Sequence, residues 1–336
     1  MKFGVMAPQM GWNAGADACR DVAQAAEDLA FDSIWTADHV AMPSNYVSEY
    51  PFNEEGRFPV PGARPFLDMF PTLGFLSAVT SRVELGVSVC VVPYRHPALL
   101  AKLVTTVDQL CKGRFIFGAG VGWLKEEFDA LGMNYRTRGR DTDEALDLLA
   151  AAWSPEQPMS FRGQKYTLDQ VYFAPGPHQD RRIPIWIGGV TPPALRRTAR
   201  FADAWFPHLF GAEPGAMERA QEQIRRGAAE YGRTAHVPTA MFVPLQLADR
   251  TEDPDVPPWE KRLLTVSPED LVTVLQRYES LGVDHVLLTM GGTTDDKLRA
   301  MEKLSATVMP ALSGGTRAAR REPLAAPAGR RGVPPR

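Results

Sequence analysis

Ser33-Ile34-Trp35-Thr36-Ala37-Asp38-His39 is the stretch on which the reading of this chain turns: a short apolar run closes on an ionisable pair. A long segment carrying Pro43, Pro51, Pro59, Pro61 and Pro65 follows it. The apolar run reads as a strand. Barrels and open α/β sheets place their chemistry where strands end, so Asp38 and His39 are expected at an active-site edge. An imidazole titrates near neutral pH, which makes His39 the leading candidate for moving a proton. The plainer alternative is a strand-end histidine satisfied by Asp38 or by backbone.

Outward from this strand, short β-like runs alternate with amphipathic helical patterns through most of the chain, the signature of βα units and a parallel sheet. Strands are predicted at Lys2 to Ala7, Ser33 to Thr36, Val83 to Val91, Arg114 to Gly118, Ile183 to Ile187, Ala204 to Pro207, Thr239 to Leu247 and Val283 to Met290. Helices are predicted at Ala16 to Ala30, Phe70 to Thr80, Pro97 to Cys111, Leu124 to Leu131 with Thr142 to Trp153, Pro192 to Ala202, Pro214 to Tyr231, Pro268 to Leu281 and Thr294 to Leu312. Prolines at positions 97, 192, 214 and 268 fit the first turn of a helix, where a missing N–H costs nothing. Eight strands close a barrel, so the expected fold is α/β, a single (β/α)8 TIM barrel with insertions over residues 1 to 312.

Two insertions are predicted. Met42 to Asp68 holds too much proline for a central strand or helix and should cover one barrel mouth as an ordered loop. Pro158 to Pro177 reads as a small hairpin before the fifth strand. The tail, residues 313 to 336, has no apolar periodicity and is expected to be disordered.

Composition narrows the partners. Against 37 Lys and Arg stand 40 Asp and Glu, a formal net charge of -3, so no electrostatic footprint for nucleic acid is present and a small-molecule substrate is expected. No apolar run approaches the roughly 20 residues a bilayer needs, and the N-terminus has no secretory pattern, so a cytoplasmic protein without a membrane partner is expected. Cys19, Cys90 and Cys111 are far apart and read as buried free thiols. The histidines at 39, 96, 178, 208, 236 and 285 are scattered, and no metal site is expected. No GxSxG nucleophile elbow occurs. Arg140 and Glu144 stand at helical i,i+4 spacing, where an ion pair is the default, and Arg138 is placed to attract an anionic ligand tail.

Glycines gather at strand ends. Gly118-Ala119-Gly120-Val121-Gly122-Trp123 is not a dinucleotide fingerprint, because that spacing requires glycine where Trp123 stands. Gly188-Gly189 leads through Val190-Thr191 into a helix start, and Gly291-Gly292 with Thr293-Thr294 repeats the arrangement after the eighth strand. Bare amides at helix N-termini suit a phosphate, although tight βα turns alone also explain such glycines. Taken together the three motifs favour a phosphorylated ligand.

Four segments in this order and spacing resemble the luciferase-like monooxygenase superfamily, and within it the branch that uses the deazaflavin coenzyme F420. They are Thr36-Ala37-Asp38-His39; Leu85 to Val89 continuing to Pro93-Tyr94-Arg95-His96-Pro97; Gly113-Arg114 through Gly118 to Trp123; and Ile183 to Gly189. The resemblance implies a flavin-like ring across the C-terminal mouth, with His39 and Asp38 as the catalytic pair near its reactive edge. It implies a non-proline cis peptide at Ser88-Val89 under the ring, and cofactor contacts at Gly120, Gly122, Trp123, Gly188, Gly189 and Val190. Sugar-phosphate dehydrogenases of this branch carry a catalytic glutamate where this chain has Trp123, a departure that argues against their activity. Glu126 and Glu127, falling on a helix nearby, read as solvated.

The expected activity is therefore F420-dependent hydride transfer to or from a small organic substrate, with His39 handling the proton. The alternative cofactor is FMN, in a monooxygenase that uses reduced flavin and oxygen; an alternative of another class is a non-catalytic binder of a phosphorylated ligand. By the same resemblance a homodimer is expected, with a separate flavin or F420 reductase as a further partner. The substrate pocket would draw on Met42 to Asp68, on residues after the seventh strand and on the loop around Trp259.

Overall fold

A computed structural model describes residues 1–53, 55–207, 215–247 and 264–312. Eight parallel strands close on themselves: β1 (Lys2–Met6), β2 (Ser33–Thr36), β3 (Glu84–Val87), β5 (Phe115–Gly120), β8 (Ile185–Gly188), β9 (Ala204–Phe206), β10 (Thr239–Leu247) and β12 (Val283–Met290). Val5 pairs with Ile34 on one side and Leu288 on the other, and Thr239 against Trp205 completes the ring. Two short strands extend it, β4 (Cys90–Val91) beside β5 and β11 (Leu264–Val266) beside β10.

The expected strand positions agree with these, with one difference. The run Val83 to Val91 is two strands, β3 and β4, because the chain breaks register at the cis peptide Ser88-Val89. Helices α1 (Ala16–Asp28), α2 (Met69–Val79), α3 (Pro97–Leu110), α4 (Lys125–Ala130), α5 (Arg138–Ala152), α6 (Pro192–Phe201), α7 (Ala216–Glu230), α8 (Pro268–Ser280), α9 (Thr294–Lys303) and α10 (Met309–Leu312) surround the barrel. The expected hairpin is β6 (Met159–Arg162) against β7 (Thr167–Val171). Pro214, the loop around Trp259 and the tail from 313 onward lie outside the described residues.

One apolar cluster fills the space between strands and helices, and a second, Met6, Trp35, Ile116, Trp186, Phe206 and Leu287 among its members, fills the barrel itself. The Trp35 and Trp186 rings lie 4.7 Å apart. Glycine makes room for them: a Cβ on Gly86 would come within 2.2 Å of the Trp35 ring. Trp35 Nε1 donates to Ser33 Oγ at 2.7 Å, and that hydroxyl is 2.8 Å from His285 Nε2, so the buried polar groups are paired. Cys19, Cys90 and Cys111 are buried and free. Among the described residues no helix is long and apolar enough to cross a membrane.

The proline-rich segment is fastened to the barrel by Gln9. Its side-chain amide donates to Ala37 O at 3.0 Å and Leu67 O at 2.7 Å, while its carbonyl accepts Ala37 N at 2.7 Å. A Met10–Phe66 bridge and the bond from Gly11 N to Pro65 O extend the seam. Both ends of the loop thus meet at the C-terminal side of β1.

Candidate active site

Where β2 ends, Asp38 and His39 turn to different partners. Asp38 is buried; its oxygens accept Arg95 Nη1 at 2.7 Å, Arg95 Nη2 at 3.0 Å and Val91 N at 2.9 Å. Arg95 reaches Asp68 as well, at 3.2 Å. Burial alone would lower the Arg95 pKa, but pairing with Asp38 outweighs it and raises it, so the guanidinium stays charged. This fork ties the end of β2 to β4 and to the start of α2. His96 beside it is exposed and caps α3, accepting Ala98 N at 3.2 Å.

His39, 9% exposed, places Nδ1 2.6 Å from Oε2 of Glu127, a residue with no exposed surface. The expectation that Glu127 is solvated is therefore wrong. Leu124, Glu127, Phe128 and Leu131 share the inward face of the α4 segment, and the carboxylate rides in an apolar stripe. Glu127 Oε2 also accepts the Tyr94 hydroxyl at 2.9 Å, while Oε1 accepts Val40 N at 2.6 Å and Ala41 N at 2.9 Å. Burial would raise this carboxyl, but His39 and the two amides overcome it and hold it below the ordinary glutamate value. His39 Nε2 has no hydrogen-bond partner among the described residues. Glu126 reaches the loop too, accepting Val47 N at 2.7 Å and Ser48 N at 3.2 Å.

After β3 the chain makes a bulge walled by glycines. The Ser88-Val89 peptide is cis, and Ser88 N donates to Thr36 O at 2.7 Å, joining the bulge to the end of β2. Glycines close around Val89: a Cβ on Gly120 would lie 2.5 Å from its Cγ2, and one on Gly188 would lie 3.2 Å from its Cγ1. At Gly118 a Cβ would meet Val87 O at 1.9 Å. Ser88 Oγ is buried and has no hydrogen-bond partner among the described residues. Gly122, with φ +77°, brings the chain past Val91 and Phe128 to Trp123.

An aromatic wall rises from the loop over His39. Phe58 and Phe66 stand edge-on to the imidazole at 4.8 and 5.4 Å, and Trp123 at 6.1 Å. Tyr50 and Tyr46 pack edge-on to Trp123 at 5.2 and 5.8 Å. Burial pushes the Tyr50 hydroxyl pKa up, so it stays protonated at neutral pH.

The helix starts divide. At α6 the N-cap Thr191 accepts Ala194 N, no acid stands in the first turn, and Val190 before it is exposed. At α9 the arrangement is closed: Thr293 and Asp296 form a capping box, and Asp295 adds a second carboxylate. The Gly291-Gly292 motif is thus no phosphate site, because its own carboxylate occupies the amides an anion would need. The expected Arg140–Glu144 pair is also replaced: Glu144 Oε1 accepts Lys165 N and Tyr166 N, both at 2.8 Å, holding the β6–β7 turn. Arg138 donates to Gly122 O at 3.2 Å and lies over the Tyr135 ring, tying the turn at Gly122 to the start of α5. Among the described residues no group of three His, Cys, Asp or Glu side chains is placed to hold a metal.

A closed parallel barrel with its polar groups at the C-terminal rim defines a class of enzyme scaffold, and known proteins narrow it. Residues 1–254 match the luciferase-like monooxygenase family. The chain belongs to that family and is an oxidoreductase. An uncharacterized protein of Mycobacterium tuberculosis is 30% identical over 214 residues, 64% of this chain and 72% of the relative. A phthiodiolone/phenolphthiodiolone dimycocerosates ketoreductase of the same organism is 30% identical over 213 residues, 62% of this chain and 55% of that enzyme. In structure, a monooxygenase from Streptomyces bottropensis superposes with a TM-score of 0.72 at 17% identity, covering 92% of this chain and 99% of the other. An F420-dependent secondary alcohol dehydrogenase, solved with an F420-acetone adduct, gives 0.72 at 18% identity, covering 92% and 98%. At such identities these two likenesses concern the fold.

Proposed function

We propose that this protein is an F420-dependent oxidoreductase that passes hydride between the deazaflavin ring and a small carbonyl or alcohol substrate, with His39 carrying the proton. The observation that carries the reading is the His39 imidazole: one nitrogen is fixed on a buried carboxylate and the other is without a partner among the described residues, three residues past the β2 end that the glycine-walled bulge joins through Ser88 N and Thr36 O. The bulge suits a flat ring. Gly118, Gly120 and Gly188 make room for the Val89 shelf at the Ser88-Val89 bulge, and the orphaned Ser88 Oγ calls for a polar group on a ligand. Gly122 and Trp123 would border the ring, and Gly188, Gly189 and Val190 at the start of α6 would take the phosphate of its tail. Asp38, with both oxygens bound to Arg95, acts as a positioning residue for the end of β2.

A bound deazaflavin supplies two-electron hydride chemistry. His39 Nε2, in its protonated form, gives a proton to the substrate oxygen as a carbonyl is reduced; neutral, it takes that proton back as the alcohol is oxidised. Phe58, Phe66 and Trp123 exclude water around the imidazole, and the aromatic loop favours an apolar substrate. The names of the ketoreductase relative and the alcohol dehydrogenase neighbour support a carbonyl/alcohol couple. A homodimer is part of the same reading.

Titrating the purified protein with F420 and with FMN, each followed by tryptophan fluorescence, tests the cofactor. Saturable quenching by F420 is expected; tight FMN binding with no response to F420 would turn the assignment to a flavin monooxygenase served by a separate reductase. Replacing His39 with Asn should lower turnover by a factor on the order of 10² to 10⁴ with cofactor affinity unchanged. An undiminished kcat in that variant removes His39 from the chemistry.

A further inference from the structure

We infer that Glu127 is a positioning residue that fixes the ring-proton tautomer of His39 and thereby makes Nε2 the nitrogen that exchanges protons with substrate. The inference rests on the role given to His39 above, while the hydrogen bonds that carry it involve protein groups alone.

Four donors surround the carboxylate. Two backbone amides, Val40 and Ala41, point at Oε1, and the Tyr94 hydroxyl and His39 Nδ1 approach Oε2. An ionised carboxylate offers about four acceptor sites and nothing to donate. The amides are obligate donors, so Oε1 cannot carry a proton without facing N–H groups. Tyr94 O–H has the carboxylate as its partner on the other side. The two amides at Oε1, the Tyr94 hydroxyl and His39 at Oε2 together hold the carboxyl below its ordinary value and so favour ionised Glu127, and an ionised carboxylate, which can only accept, requires His39 to donate through Nδ1–H. In the neutral imidazole Nε2 is then a bare acceptor; in the imidazolium it is the proton to be given.

Glutamine at 127 cannot reproduce this. Its amide nitrogen would face either two backbone N–H groups or the Tyr94 and His39 donors. The second choice is relieved by moving the imidazole proton to Nε2, which turns the substrate-facing nitrogen from acceptor to donor. Other ionisable groups around the pair leave that balance in place. Asp38 and Arg95 neutralise each other through their fork, and burial raises the pKa of Cys90, Tyr94 and Tyr50, so these three stay protonated near neutral pH. Glu126 is spent on the loop amides at 47 and 48.

The same carboxylate holds the first residues of the loop, at 40 and 41. Glu127 thus links the placement of the lid to the protonation pattern of the imidazole beneath it.

The test uses the full-length protein labelled with ¹⁵N in its histidine rings, without cofactor, with His39 signals assigned by their loss in His39→Asn. Expected is a pyrrole-type Nδ1 bearing a far-downfield proton and a pyridine-type Nε2 at alkaline pH. Glu127→Gln should exchange the two signatures and, with F420 and substrate, lower kcat on the order of 10²-fold while KM for the cofactor stays within a few-fold. Tyr94→Phe, which removes one of the donors, should keep the wild-type tautomer. An Nε2–H tautomer in the wild-type protein, or unmoved His39 nitrogen signals in Glu127→Gln, overturns the inference. Should Glu127→Gln fail to fold, the wild-type spectrum alone decides. Absence of redox turnover with either cofactor would count against the proposed function and leave the tautomer measured by NMR unaffected.

Discussion

Two helix starts in this barrel read alike in sequence and behave oppositely in space. Gly188-Gly189-Val190-Thr191 opens α6 and Gly291-Gly292-Thr293-Thr294 opens α9; both follow a barrel strand, and in each a threonine caps the helix. The difference lies three residues past the cap. Asp296 folds back onto the Thr293 N–H at 2.9 Å and accepts its hydroxyl at 2.7 Å, and Lys297 and Asn13 close over Gly292 O. Ala194 at the matching place in α6 has no such group. A glycine pair before a helix thus creates the possibility of an anion site, and the third helical residue decides whether the chain keeps that site for itself.

The strongest way to break this comparison is to transplant the decisive residue. Ala194→Asp should build a capping box on α6 and weaken the binding of a phosphate-bearing cofactor by about 10²-fold, since a charged group meeting a carboxylate in place of bare amides forfeits roughly 2–3 kcal/mol. Equilibrium titration of the variant measures it, and unchanged affinity would mean the tail is held elsewhere. Glycine substitutions come next. Gly189 has φ +105° and Gly292 φ +91°, so alanine at either should cost about 1–2 kcal/mol in denaturant melts. Only Gly189→Ala should also reduce cofactor affinity; an equal loss in Gly292→Ala would contradict the closed reading of α9. Asp296→Ala, removing the box alone, should cost about 1 kcal/mol and leave binding unchanged.

The smallest effect separates the rim from both helix starts by pH. Glu127 titrates below its ordinary value in the folded chain, so its stabilisation is complete above that value and is lost as acid carries the pH down through the lowered one. Glu126 behaves likewise, with a pKa of about 2. Protection of the amides at 40, 41, 47 and 48 against hydrogen exchange should therefore hold at about pH 5 and above and decline below about pH 4, before the helix starts open. Exchange that is flat across that range would detach the two glutamates from the lid.

Much of this was legible in the residues. Strand positions followed from apolar runs of barrel length, and the starts of α3, α6 and α8 were marked by proline at positions 97, 192 and 268. The third strand was harder: Val83 to Val91 is continuous in hydrophobicity, and nothing in its pattern marks the turn at Ser88-Val89, which only the resemblance supplied. Glu127 was missed for a different reason. Charge on a short helix is ordinarily solvated, yet Leu124, Glu127, Phe128 and Leu131 recur at i, i+3, i+4 and i+7, and a carboxylate inside such a stripe must find donors. That spacing was the available signal. The partners themselves, at 39, 40, 41 and 94, come from segments far away in the chain and become visible only when the barrel closes.

The glycine bed around Val89 bears on anyone who would redesign this enzyme. The space a side chain would need at Gly118, Gly120 and Gly188 is already filled by a neighbour's atoms, so any methyl added there is converted into displacement of the Val89 shelf. The glycine bed is in this sense a mould that tolerates no editing. Libraries seeking new substrates belong on the aromatic loop, at Tyr50 and Phe58, whose rings meet the rings of Trp123 and His39 rather than the barrel backbone.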